Sequence, residues 1–226
     1  MIVVVFNLWQ LILKGGPMMW PIIFLSLVAL AVGIERIVYL SSTDKIIKAH
    51  KTNLLQSLKQ GHIQQTLSLC ESQSSPFSRI FKAALLKFGA SAQVITTAME
   101  EIFIYESHRL KERMGILSFT VNASVLMGLL GTVVGLTVVF HAVQARSNVL
   151  NPLSVGDMAQ GIWQALFSTI AGLMVCIFSF TVYSFCICRI NNIIADLEIA
   201  MAQSAHMLVG LAELNEGVKE RNDEGS

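Results

Sequence analysis

Charge is the scarcest ingredient of this sequence. Asp, Glu, Lys and Arg make up 14% of its 226 residues, against 54% hydrophobic, and the mean hydropathy is +0.62, far from the balance of a soluble domain. A formal net charge of +1 leaves no basic surface able to neutralise a run of phosphates, so nucleic acid is excluded as a partner. Proline is nearly as rare, with four residues and none between Ser91 and Val143. A transporter built on repeated halves and helices broken at mid-membrane is therefore not supplied by this chain. The four cysteines, Cys70, Cys176, Cys186 and Cys188, have neither the spacing of a zinc site nor that of a disulfide framework, and read as small packing residues. No HExxH, GxSxG, phosphate loop or dinucleotide fingerprint is present. No enzyme activity, cofactor or metal is expected.

What is present in quantity is uninterrupted apolar sequence. Spanning a bilayer takes roughly 20 apolar residues as a helix. Gly15–Ile34, Gly115–Phe140 and Met158–Cys188 each reach that length without an Asp, Glu, Lys, Arg or His. The expected fold is all-α: an integral membrane protein with three transmembrane helices and long helical extensions of the second and third. Eleven Lys and Arg lie from Arg36 to Arg113 and three from Arg189 onward, against Lys14 alone before the first span and Arg146 alone between the second and third. The positive-inside rule then places the N-terminus outside and both charged regions in the cytoplasm.

The chain divides accordingly. Residues 1–14 read as a short amphipathic helix on the outer surface, because Met1–Leu13 is apolar, interrupted by Asn7 and Gln10, and too short to span. Residues 15–40 form the first span, with Trp9, Trp20 and Tyr39 as an aromatic belt. Residues 41–113 form a cytoplasmic helical region, in which Ser41 to Asp44 offers an N-cap, Gly61 separates two helical runs, Ser72–Ser78 reads as a loop, a further helix runs from Pro76 to its end at Gly89, and Ser91 caps the next. The absence of proline predicts one helix of about 50 residues from Ser91 to Val143. The second span occupies 114–143, a periplasmic loop 144–157 and the third span 158–188. Residues 189–226 continue as a cytoplasmic helix, striped by Ile190, Ile193, Ile194, Leu197 and Met201, with a disordered tail from Asn215.

In lipid, helices associate through small residues that let backbones approach and through polar side chains that bond across. A helical projection of the second span gathers Thr120, Ser124, Gly128, Gly131, Thr132, Gly135 and Ala142 on one face, with a literal GxxxG at Gly131 and Gly135. On the third span Gly161, Gln164, Ala165, Ser168, Gly172, Ser179 and Tyr183 share a face, with Thr169 at its edge. Helix packing and pore lining both account for such faces. Apart from thiols and Tyr183 neither span contains an ionisable group, and threonine cannot hold a proton at physiological pH. A proton path would need a carboxylate from another chain. His141, at the outer end of the second span, reads as an interfacial polar cap. Glu100, Glu101, Glu106 and Glu112 read as a solvated helix face, or as a cation-attracting vestibule if the chain forms a ring.

The segments GGPMMWPIIFLSLVALAVGIERIVYL, MGLLGTVVGLTVVF and GIWQALFSTIAGL resemble, in order and spacing, the three signature regions of the MotA/TolQ/ExbB proton-channel family, with the first nearest to ExbB. The resemblance implies an inner-membrane stator, a homopentameric ring around a single-span partner similar to ExbD or TolR. Proton flow along that partner would energise a periplasmic or outer-membrane process, through a TonB-like energy transducer in the ExbB case. It implies channel positions at Thr132 and Thr169; Gln164 and Ser168 on the face of the third span are the further proton-pathway candidates, and Gly128, Gly131, Gly135, Gly161 and Gly172 are the helix-packing residues of the two small faces. Gln164 stands where ExbB and TolQ proteins commonly carry Glu. That departure motivates a second reading, a non-conducting oligomeric scaffold of the same architecture.

Overall fold

The computed structural model describes residues 16–59, 63–72, 75–146 and 155–223, so the expected outer-surface helix at 1–14 and most of the loop at 144–157 lie outside the described residues. All elements within them are helical: α1 (Met19–Lys59), α2 (Ile63–Ser72), α3 (Pro76–Leu85), α4 (Ala92–Lys111), α5 (Met114–Arg146) and α6 (Val155–Asp223). Three helical stretches are long and apolar enough to cross a membrane, Met19–Leu58, Ala92–Ala145 and Met158–Leu211. The chain forms two compact units, one from residues 1–36 and 113–185, the other from residues 37–112 and 186–226.

In the first unit α1 enters through Gly16, whose φ of +76° suits only glycine without strain, and whose carbonyl accepts from the Met19 amide at 3.2 Å. Met19, Ile22, Leu25 and Ala29 recur at helical spacing and are buried, while Phe24, Leu27 and Ile34 on the other side stay exposed. Outward rows on the later spans are equally apolar, with Leu126, Val138 and Phe140 on α5 and Trp163, Met174 and Ile177 on α6. Those are side chains that hydrocarbon solvates without cost.

The second unit is organised by aromatic and ionic contacts. Ser75 caps α3, its hydroxyl accepting from the Ser78 amide at 3.1 Å with Pro76 at the first helical position. Pro76–Ser78 therefore open the helix expected from Pro76, so the loop ends before them. Phe77 stacks on Phe81 with centroids 5.6 Å apart, and Ile80, Ile95, Met99 and Leu110 are fully buried beside them. Each such side chain contributes on the order of 2 kcal/mol. Ile190, Ile193, Leu197, Ala200, Ser204 and Leu208 form the buried stripe of the α6 continuation.

Four expectations are corrected. The helix from Ser91 to Val143 is interrupted: Glu112 is extended at ψ 144° and Arg113 takes φ 62°, a left-handed turn that costs a non-glycine residue about 1 kcal/mol. Arg113 then opens α5 by accepting from the Ile116 amide at 3.2 Å, and its guanidinium pairs with Glu35. Ser41–Asp44 caps nothing, because α1 runs through it; the Asp44 carboxylate instead receives Lys48 at 3.1 Å and Arg189 at 3.2 Å. Glu106 leaves the proposed vestibule, being 2% exposed and forked by Arg79 at 2.5 and 2.7 Å. Finally, α6 continues to Asp223, past the expected onset of disorder at Asn215; the Glu and Lys residues of this stretch are good helix formers that carry an established helix forward.

Outside the spans two groups have displaced acidities. Burial pushes the Cys70 thiol up to about 11, outweighing the nearby Lys82. The hydrogen bonds to Glu106 raise the Arg79 guanidinium above its ordinary value.

Candidate functional site

The small faces of α5 and α6 meet each other within a single chain. Gly161 lies opposite Val139, Gly135 opposite Ala165, Gly131 opposite Ser168 and Gly128 opposite Gly172, an antiparallel register maintained over three turns. The approach is backbone to backbone. A methyl group on Gly172 would stand 2.6 Å from the Ser124 carbonyl oxygen and 2.9 Å from the Gly128 Cα, and one on Gly135 would stand 2.8 Å from the Ala165 Cβ. These five glycines therefore hold a seam inside one subunit. Each face is covered by the other within the chain.

Hydroxyl groups line this seam, and most are satisfied locally. Thr120 donates to the Ile116 carbonyl, Ser124 to Val121, Thr132 to Leu129 at 2.6 Å and Ser168 to Ala165 at 2.7 Å. Ser168, 1% exposed, lies inside the seam against Gly131 and not on an open surface. Thr169 differs. Its hydroxyl crosses between helices and donates to the Gly128 carbonyl at 2.9 Å, the acceptor that in the helical ladder also serves the Thr132 amide. The two threonines thus converge on one peptide group, Thr169 by its side chain and Thr132 by its backbone. The Thr169 oxygen keeps lone pairs free to accept a further hydrogen bond.

Gln164 lies half-buried one turn away, against Gly16. Any side chain at Gly16 would collide with the Gln164 amide. Gln164 and Gly161 also line a shallow cleft at this end of the seam together with Val138, Val139, Ala142 and Met158. His141, next along α5, is exposed. Among the described residues no group of three His, Cys, Asp or Glu side chains could hold a metal ion, and the cysteines are free.

Sequence reasoning located the glycines and both threonines but missed the bond from Thr169 to Gly128. The projection placed Thr169 at the edge of its face, a position that can either turn outward or reach across.

Comparison with known proteins gives this arrangement a context. The profile of the MotA/TolQ/ExbB proton channel family matches residues 72–199. The chain is 28% identical over 191 residues to an ExbB homolog of Methanothermobacter thermautotrophicus named for biopolymer transport, covering 82% of this chain and 65% of that one, so it spans just under two thirds of that relative. It is 28% identical over 165 residues to an ExbB-like biopolymer transport protein of Synechocystis, covering 73% and 78%. An ExbB-type biopolymer transport protein of Vibrio cholerae is 26% identical over 174 residues, covering 76% and 75%. The matched region takes in more than half of the sequence and both walls of the seam on which Thr132 and Thr169 converge, and on that ground the chain belongs to the MotA/TolQ/ExbB proton channel family.

Proposed function

We propose that this chain is the multi-copy, ExbB-like subunit of a proton-driven motor in the inner (cytoplasmic) membrane, with its N-terminus periplasmic and its C-terminus cytoplasmic. It works with an ExbD- or TolR-like single-span partner to energise a periplasmic or outer-membrane process such as biopolymer transport. The observation that carries the reading is the Thr169 hydroxyl, fixed on the Gly128 carbonyl at 2.9 Å in a span that holds no ionisable side chain besides thiols and Tyr183. A fixed hydroxyl can accept a hydrogen bond from a passing protonated carboxyl and release it, while the proton itself stays on the stronger base. Thr132 and Gln164 border the same path. The division of labour follows: this chain supplies oriented hydroxyls and the partner supplies the acid.

A ring then has to form on surfaces other than the glycine seam. The exposed apolar rows of α5 and α6 are available to neighbouring copies and to lipid. The test is Thr169→Val, which keeps the shape and removes the hydroxyl, in liposomes with the partner co-purified. Proton uptake should be lost while the ring persists in native mass spectrometry; uptake at the parent rate would overturn the role of Thr169.

The scaffold reading is favoured by one observation, the seating of Gln164 on Gly16, which suits a packing amide as well as a path residue. Gln164→Glu separates the two. A wet path tolerates the carboxylate, which hydrates, whereas a dry contact is broken by it at a cost of several kcal/mol.

A further inference from the structure

The glycine seam extends beyond Thr169, and its next polar position is unexplained by helix packing. Ser179 on α6 is completely buried, and its hydroxyl has no hydrogen-bond partner among the described residues. A serine in a helix usually donates to a carbonyl three or four residues back, as Ser124 and Ser168 do here. Burying a hydroxyl unsatisfied is costly, more so where lipid surrounds the helices and water cannot enter freely.

The register of the seam identifies what faces it. Continuing from Gly161 opposite Val139, through Ala165 opposite Gly135, to Gly172 opposite Gly128 brings Ser179 opposite Thr120. Thr120 and Ser124 are also completely buried, so three hydroxyls are gathered at this level of the seam. Ser179 lies ten residues beyond Thr169, roughly 15 Å along the helix, too far to share its hydrogen bonds.

The hydrogen inventory defines the ligand. Thr120 has spent its proton on the Ile116 carbonyl and Ser124 on the Val121 carbonyl, leaving both oxygens as acceptors only. Ser179 still has a proton to give. The complementary molecule must accept one hydrogen bond and donate others. An anion has nothing to donate to the two spent oxygens, and a cation cannot accept from Ser179 and would find no carboxylate in the span to offset its charge. Water matches on both counts, and two to four polar contacts are what a buried water ordinarily makes.

We propose that Ser179, with Thr120 and Ser124, holds an ordered water molecule inside the subunit, between the second and third spans. The water bridges the two helices where the glycines give way to hydroxyl side chains. It is a structural bond carried by solvent, and it does not depend on the channel reading above.

The experiment uses the protein in lipid nanodiscs and compares Ser179→Ala, Thr120→Val and the double variant. Each single change should lower Tm by a similar amount, and the double should lower it no further than the more damaging single, because either change releases the same water. A high-resolution density map of the parent should carry an isolated peak between residues 120 and 179 that Ser179→Ala removes. A rise in Tm for Ser179→Ala means a dry, strained hydroxyl. No change means the hydroxyl turns onto its own helix, and additive losses mean two unrelated local bonds. Any of these, or a parent map without the peak, overturns the proposal and leaves the channel role of Thr169 untouched.

Discussion

In one unit of this protein Gly128 and Gly172 bring two backbones together with nothing between them; in the other, Phe77 stacks on Phe81 and Arg79 is forked onto Glu106. The contrast follows from the solvent. Water rewards burial of a large apolar side chain, so the second unit gains stability by gathering aromatics. Lipid gives no such reward, so the spans must gain from close packing and from bonds whose strength depends on distance. Stability in the first unit should accordingly be brittle toward added volume, and in the second toward lost volume and lost charge partners.

Gly172→Leu is expected to break the first unit outright. Its side chain would enter the Ser124 carbonyl and the Gly128 backbone, neither of which can rotate aside, and the loss should exceed about 3 kcal/mol. Failure to recover folded monomer in detergent checks it; normal recovery would mean the seam opens more easily than its geometry implies. By the same logic, larger residues at Gly131 or Gly135 should damage the single subunit before they damage a ring.

In the second unit Arg79→Met removes the ion-pair partner of a carboxylate that is 2% exposed. A fully buried pair would cost roughly 3–5 kcal/mol to break, and because Arg79 is itself 39% exposed the expected loss is about 2 kcal/mol. Denaturation monitored through the fluorescence of a reporter placed in this unit reads it. Equal stability in the variant would place the anchoring of α3 on α4 wholly in the aromatic cluster.

A glycine without close neighbours sharpens the comparison from the other side. Nothing lies within 4 Å of a methyl group placed on Gly210, which sits inside α6, so Gly210→Ala should stabilise by roughly 0.5–1 kcal/mol through helix propensity alone. A destabilised variant would point to a contact on that face made only in the assembled complex.

The smallest effect concerns Cys70. With its thiol pushed up to about 11, it should resist alkylation at pH 8 while exposed Cys188 reacts, as peptide mass mapping would detect. The unfolded thiol ionises from about pH 9, so the unfolded state sheds its proton first, and this residue lowers stability progressively between about pH 9 and pH 11. Cys70→Ala should remove that part of the slope.

Much of this was legible beforehand. Stretches free of charge set the spans, and a 100° projection gathered Gly128, Gly131 and Gly135 on one helix and Gly161 and Gly172 on the other. The partner of those faces was not legible. Periodicity says that a face must meet something at close range, but a helix in the same chain and one in a neighbouring copy satisfy it equally. The break before α5 was hidden for a different reason: Glu112 and Arg113 carry none of the usual signals of a turn, and an arginine adopts a left-handed conformation only where its surroundings, here including Glu35, compensate. Asp44 looked like a cap because its chemistry suits one, yet its two cationic partners, Lys48 and Arg189, lie one turn and most of the chain away. The burial of Glu106 likewise depended on Arg79, from a helix whose position no local pattern reveals.

The local bonding of the hydroxyls has a consequence for how the protein is made. Thr120, Ser124, Thr132 and Ser168 each donate to a carbonyl of their own helix, so most of the polar cost of each span is met before any other span is present. During biosynthesis α5 and α6 can each leave the translocation machinery and wait in lipid as single helices, with little to penalise delay. Among the hydroxyls that bond directly to a carbonyl, Thr169 is the exception, since its acceptor belongs to α5. It is satisfied across the seam only after the two helices have found their register, which makes that one hydroxyl a marker of completed assembly at the level of the single chain.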